Sequence, residues 1–177
     1  RPLCIDLGGM AKGTALEQAR ATLAQHGIRN ALIDIGGSSQ LAIGRKGERR
    51  WFIGLKDPRA NRVIARLALA PGEAASTSGD YERSYTQDGR RYHHILDPVT
   101  GEPTTGSASA TVLAADAELA DAATTALMVA GPTRFHSVSA SLGIVDALLI
   151  TTSGELLTTP GMAARLRRDN NGQLPDL

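Results

Sequence analysis

The sequence predicts an α+β fold in which a mixed, mainly antiparallel sheet is packed with helices. Two observations carry this. Strand-like runs occur in hairpins, with Asp88-Gly89 as the strongest turn signal, and also on either side of stretches with helical period. The glycine-rich runs of nucleotide folds, G-x-x-x-x-G-K-[ST] and G-x-G-x-x-G, are both missing. That sets aside a doubly wound sheet, and no short-period repeat marks a solenoid.

The elements follow in order. Residues 3–7 read as a strand, and Met10 to His26 as a helix with Ala11, Ala15, Ala19 and Leu23 at helical spacing. Gly27 stands at its stop. Residues 30–35 form a second strand closed by Gly36-Gly37, and residues 40–44 and 50–55 a hairpin turning at "GRKGERR". "KDPRANR" is a loop and "VIARLALA" an alternating strand ended by Pro71-Gly72. A hairpin around Asp88-Gly89 leads through "RYHHIL" into the loop "DPVTGEPT". "SASATVLAA" is a strand. Residues 116–130 form a helix with Leu119, Ala123, Ala126, Leu127 and Ala130 on its apolar side, stopped by Gly131-Pro132. A short helix at about 133–141, the strand "VDALLIT" and a turn at Ser153-Gly154 complete the chain before a polar tail from Asp169.

Composition narrows the partners. The 177 residues suffice for one domain or two small lobes sharing a core. With 19 basic and 18 acidic residues, the net charge of +1 offers no broad footprint for nucleic acid. Aromatics at 3% leave no base-stacking surface and a core of Ala, Leu, Ile and Val. The basic cluster Arg165, Arg167 and Arg168 reads as a solvated helix end or tail. Cys4 is the single cysteine, so no internal disulfide forms. No apolar run approaches the roughly 18 residues of a membrane span. The chain opens on Arg1 inside a strand-like run, and we expect a preceding N-terminal part.

Three segments carry chemistry. In "CIDLGGMAKG", Gly8 and Gly9 let the backbone approach whatever lies there, and a helix starting at once aims free N–H groups at the same spot. That favours an anion such as phosphate, with Lys12 as a point charge; a plain strand-to-helix turn has the same letters. "LIDIGGSSQ" repeats the Asp-x-Gly-Gly pattern at Asp34. In "LADAATTALMVAG", Asp121 and Thr125 share a helix face, and two hard oxygens one turn apart suit Mg²⁺. A solvated face is the ordinary alternative, but this helix is strongly apolar and a half-buried carboxylate needs a partner. Asp116 and Glu118 fit the helix dipole instead. The third segment, "STSGDYERSY…RRYHHILDPVTGEP", concentrates Ser76, Thr77, Ser78, Asp80, Tyr81, His93, His94, Asp97 and Thr100. Adjacent histidines on a strand face opposite ways, so at most one serves a given pocket as base or donor. Ligand spacing for Zn²⁺ is missing.

Together, and in order, these segments resemble the ApbE family, flavin transferases that move FMN from FAD onto a protein threonine. "IDLGGMAKG", "NALIDIGGSSQLAIG", "WFIGLKDPR", "STSGDYER", "RYHHILDPVTGEP", "LADAATTALMVAG" and "TTPGM" are similar to family segments from Asp6 to about Met162. The resemblance implies an ApbE-like, T-fold-related domain over residues 1–168, a C-terminal portion of the family domain, with a tail at 169–177. It implies Mg²⁺ on Asp121, Thr125 and the Gly9 carbonyl. Lys12 would stand near the FAD pyrophosphate, for which the Gly8-Gly9 break makes room. His94 would be the base by the flavin phosphate, Asp80 and Tyr81 part of the flavin pocket, and Ser78 and Gly79 its turn. Catalysis would rest on His94, Asp121 and Lys12, with AMP as the leaving product and a threonine-bearing acceptor protein as partner. Ser38 replaces the family's usual Asn or Asp. The family's further N-terminal stretch, part of the flavin pocket, is not in this sequence, so a homodimer or pairing with that segment would complete the site. A Mg²⁺-dependent FAD pyrophosphatase and a non-catalytic FAD-binding module are the alternatives. A periplasmic or membrane-anchored location is implied by resemblance only.

Overall fold

The computed structural model describes residues 5–166. Six strands form one antiparallel sheet in the order β1-β2-β5-β8-β9-β10: β1 is Ala31–Ile35, β2 Ser39–Ile43, β5 Ala74–Gly79, β8 Ser107–Ala114, β9 Asp146–Thr151 and β10 Leu156–Thr158. The strands β3 (Trp51–Lys56) and β4 (Val63–Leu69) form a separate two-stranded sheet, as do β6 (Ser84–Gln87) and β7 (Arg90–His93). The helices are α1 (Ala11–Gln25), α2 (Ala117–Ser141) and the short α3 (Pro160–Arg165). The predicted α+β class with a mainly antiparallel sheet holds.

Period-two alternation makes the large sheet the middle of three layers. Leu41, Ala74, Ala110, Val112, Ala147 and Leu149 point to one face, into a core with Leu16 of α1 and Ala120, Ala123, Leu127 and Met128 of α2. Their neighbours Ala42, Ala75, Leu113, Leu148 and Ile150 point the other way, onto Leu55, Leu67 and Leu69 of the β3–β4 pair and Met162 of α3.

Several expectations are corrected. Residues 5–7 are not a strand, and residues 1–4 lie outside the described chain, Cys4 with them. The hairpin expected between 40–44 and 50–55 does not form. Instead β2 pairs with β1 and β5, β3 pairs with β4, and "GRKGERR" keeps only a bridge between Lys46 and Arg49. Local turn letters cannot show which strand a neighbour chooses once both its edges are taken. On α1 the buried positions are Gly13 and Leu16, while Ala11 and Ala15 are exposed. Gly13 sets that face: a Cβ there would lie 2.4 Å from the Ala117 carbonyl oxygen, so the helices touch backbone to backbone. Leu119 of α2 is likewise exposed. Arg165 is not solvated but pairs with Glu73 and Asp146, holding α3 to the sheet; Arg167, Arg168 and the tail lie outside the described residues.

Helix termini follow the sequence more closely. Gly27, at φ 72°, ends α1. Asp116 caps α2 by accepting from the N–H groups of Glu118 and Leu119. Glu17 of α1 accepts from Ala117 N at 2.8 Å and satisfies a further free N–H. Gly131 (φ 67°, ψ 179°) breaks α2 before Pro132, so the two predicted helices are two arms of one kinked element. Asp88 (φ 51°) and Gly89 (φ 75°) make the expected two-residue β6–β7 turn.

Gly13→Ala forces a methyl group into the α1–α2 contact. We expect a loss of about 1–3 kcal/mol, read as a lower urea midpoint at unchanged slope.

Candidate functional site

The site begins at the turn before α1. Asp6 Oδ1 accepts from Gly8 N at 2.7 Å, and the N–H groups of Met10 and Ala11 both close on the Leu7 carbonyl. Neither Gly8 nor Gly9 has a positive φ. What Gly9 supplies is proximity: a Cβ there would lie 3.3 Å from Thr125 Oγ1, so this turn presses against α2. The Asp34 copy of the motif is different. Gly36 (φ 65°) and Gly37 (φ 69°) turn the β1–β2 hairpin, and Asp34 accepts from Gly37 N and Gln40 Nε2. The shared letters serve one strand-to-helix corner and one hairpin.

Asp121 is the centre. It is 2% exposed, and the described contacts of its carboxylate come from three other elements, α1, β2 and β5. Oδ2 accepts from Gly13 N of α1 at 3.0 Å. Oδ1 accepts from Ser76 of β5 at 2.9 Å and lies 3.3 Å from Ser39 Oγ of β2, the two serines being 2.8 Å apart. Lys12 Nζ stands 3.3 Å from the same oxygen. A carboxylate this deep needs such donors, because burying one without partners is costly.

One turn further on α2, Thr124 donates to the Asp121 carbonyl and accepts from Ser78 at 2.8 Å. Thr125 Oγ1 has Ser78 at 3.4 Å as its hydroxyl partner among the described residues, which leaves its lone pairs free on the cleft side. That cleft, about 550 Å³, is lined by Asp6, Gly9, Thr125, Ala126 and Arg134, and by Pro98 from the loop after β7. The donor set fits a hard cation: one carboxylate, one hydroxyl with free lone pairs and the backbone of the Gly9 turn. The ammonium beside Oδ1 marks a place where positive charge is already stabilised. Among the described residues no group of three or more His, Cys, Asp or Glu converges, so any metal here relies on few protein ligands.

The two histidines divide as strand alternation requires. His93 is buried, with Nε2 donating to the Thr104 carbonyl and Nδ1 accepting from Ile95 N, a structural role. His94 is exposed and lines a second cleft with Arg83, Tyr85, Tyr92 and Glu102. Burial, aided by the charges of Arg83 and Lys12, lowers its pKa below the usual 6.5 against the pull of a backbone hydrogen bond at Arg83. Lys12 is thus near enough for His94 to sense its charge. The loop from Asp97 to Gly101 is closed by Asp97 accepting from Val99 N and Thr100 N and gives Pro98 to the first cleft.

Asp80 is buried, and its carboxylate is held by a bidentate pair with Arg59 at 2.6 and 2.7 Å, with Arg91 at 3.7 Å. Tyr81 folds over Gly79, where a Cβ would lie 2.4 Å from its ring. Burial pushes the Tyr81 phenol up to about 12. The structure therefore gathers Gly9, Lys12, Ser78, Asp121 and Thr125 at one corner and sets Asp80 and Tyr81 at the end of β5. Ser39, Gly13 and Arg59 escape a reading of residues alone. The sequence signal for Ser76 and Ser78 is a run of three small hydroxyl residues in a strand that opens on two buried alanines.

The corner sets a buried carboxylate, its ammonium partner and hydroxyls beside an open cleft on an α+β scaffold. The model of the ApbE family matches residues 1–149, and the chain belongs to that family. It is 42% identical over 168 residues to an FAD:protein FMN transferase of Rhodobacter capsulatus, covering 95% of this chain and 32% of that protein. Over 174 residues it is 34% identical to one of Treponema pallidum, covering 92% and 48%. The crystal structure of an ApbE protein from Thermotoga maritima superposes with a TM-score of 0.84 at 38% identity, covering 93% of this chain and 54% of that one. The chain thus spans between about a third and a half of these relatives' lengths.

Ser76→Ala removes the shorter hydroxyl donor to a buried charge. A loss of about 1.5–3 kcal/mol is expected, with Ser76→Thr recovering part of it; thermal or urea unfolding of the three proteins checks this.

Proposed function

We propose that this chain carries the metal and phosphate half of an FAD:protein FMN transferase, which joins FMN through a phosphoester bond to a threonine of an acceptor protein and releases AMP. The observation that supports it most is the convergence of Asp121, Thr125, Lys12 and the Gly9 turn from two distant stretches of chain. The relatives' names support the class of reaction.

In this reading Asp121 and Thr125, with the Gly9 carbonyl, hold Mg²⁺. When bound, Mg²⁺ supplies charge neutralisation at the pyrophosphate. The chain's own residues do the rest. Ser39, Ser76 and the Gly13 N–H hold the Asp121 carboxylate in place. Lys12 faces the pyrophosphate oxygens. Ser78, Gly79, Asp80 and Tyr81 shape the flavin side, with Arg59 clamping Asp80. His94 takes the proton of the acceptor hydroxyl as its oxygen bonds to the flavin-side phosphorus. The bond from that phosphorus to the bridging oxygen breaks, and AMP departs with the electron pair. Positioning and charge stabilisation dominate, as in phosphoryl transfer generally. An exposed His94 also admits water, which in place of threonine gives FMN and AMP as a side reaction or as the main one. The acceptor would meet the enzyme on the periplasmic side, as the family resemblance implies.

Asp121→Ala should lower covalent flavin on the acceptor by about 10²-fold or more, measured by in-gel flavin fluorescence with free FMN followed in parallel. Wild-type transfer by that variant overturns the metal assignment; free FMN without labelled acceptor selects the hydrolase.

Burial lowers the His94 pKa below the usual histidine value, which favours the neutral ring that a base requires. The transfer rate should therefore hold near neutrality and fall as pH drops below about 6.5, through the lowered His94 pKa. That acidic limb should vanish in a slow His94→Ala variant.

A further inference from the structure

Lys12 occupies an unusual position. Its ammonium is the only cation paired with Asp121 among the described residues, 3.3 Å from Oδ1. The other ion pairs serve Glu17, Asp57, Glu73, Asp80, Glu102 and Asp146. The two ends of this pair differ: the Asp121 side chain is 2% exposed, whereas that of Lys12 is 34% exposed. The carboxylate is pinned by Gly13 N, Ser39 and Ser76, while the lysine stem starts in the first turn of α1 and reaches solvent. One partner is fixed and the other can leave.

The charge balance gives this a consequence. Asp6 also lines the cleft, where it accepts from the Gly8 N–H, but the ion pair of Lys12 among the described residues is with Asp121. Asp121 and Lys12 together are neutral. A divalent cation added at Asp121 would meet the ammonium at short range with a single negative charge between them, an unfavourable arrangement. A pyrophosphate changes the sum by bringing two negative charges and giving Lys12 a new partner on the open side.

We propose that Lys12 is a displaceable internal cation: without nucleotide it neutralises Asp121 and competes with a divalent metal, and a pyrophosphate draws it away, so that metal and nucleotide bind together. This rests on the metal site proposed above. The coupling is reciprocal, since whatever FAD does to metal affinity the metal does to FAD affinity. Lys12 thereby keeps the site from holding a tight metal ion in the absence of substrate.

The test is Mn²⁺ binding without FAD, read from the electron paramagnetic resonance signal of free Mn²⁺, for wild type, Lys12→Met, Lys12→Arg and Asp121→Asn. Circular dichroism confirms folding, and Lys12→Gln serves as the second charge-removing variant. Lys12→Met should bind Mn²⁺ about tenfold or more tightly than wild type, and Lys12→Arg within about twofold of it. FAD should tighten Mn²⁺ binding in wild type, and by a smaller factor in Lys12→Met. If Lys12→Met binds no more tightly than wild type while Asp121→Asn loses binding, the competition is wrong and the metal site stands. If Asp121→Asn binds as well as wild type, or no protein binds Mn²⁺ with or without FAD, both readings fall.

Discussion

A carboxylate removed from water must be met by donors, and the Asp121 side chain imposes that demand on the whole domain. Its partners come from α1, β2 and β5, while the residue itself lies on α2. No two of these elements can shift independently without leaving a buried charge short of a donor. The requirement also explains the small residues around it. Gly13 must lack a side chain for α1 to bring its N–H to Oδ2, and serines at 39 and 76 are short enough to place hydroxyls between a sheet and a helix. A network of this kind is specific because each missing member is costly.

The sheet turns that demand into a site. Alternation sends Ser76 and Ser78 of β5 toward α2, and sends Thr77 to the other face, where it meets Thr111 of β8 at 2.9 Å. The polar row of β5 thus lies beside the polar positions of α2, and apolar packing on both sides of the sheet holds the register. Beyond the end of β5 the chain leaves the sheet for the β6–β7 hairpin and the 94–103 loop, which wall the His94 cleft, while the cleft at Thr125 is walled by α2 and the turn before α1 with Pro98 from that loop. The rigid part fixes charge, and the excursion adds open, concave surface beside it.

The same logic separates residues that look alike. His93 is consumed by backbone partners, whereas His94, one position on, faces a cleft and has its pKa lowered chiefly by partial burial. Asp121 faces a lysine that can leave, whereas Asp80 is locked by the bidentate Arg59. Chemistry collects where a charged group keeps an unsatisfied or exchangeable partner, and the paired groups serve as its frame.

From sequence alone, periodicity and turn chemistry settled the α+β class, the α2 helix with its break at Gly131-Pro132 and the β6–β7 turn. These depend on residues a few positions apart, where φ/ψ preferences and helix geometry act directly. Tertiary structure alone decided that β2 pairs with β1 and β5, that Gly13 rather than an alanine stripe sets the buried face of α1, and that the two Asp-x-Gly-Gly turns differ in kind. It also brought Ser39, Ser76 and Lys12 to Asp121, across separations of 45 to 109 residues. Such contacts arise from the burial of one charge and the exclusion of one Cβ, and nothing in the local spacing of either stretch encodes its partner.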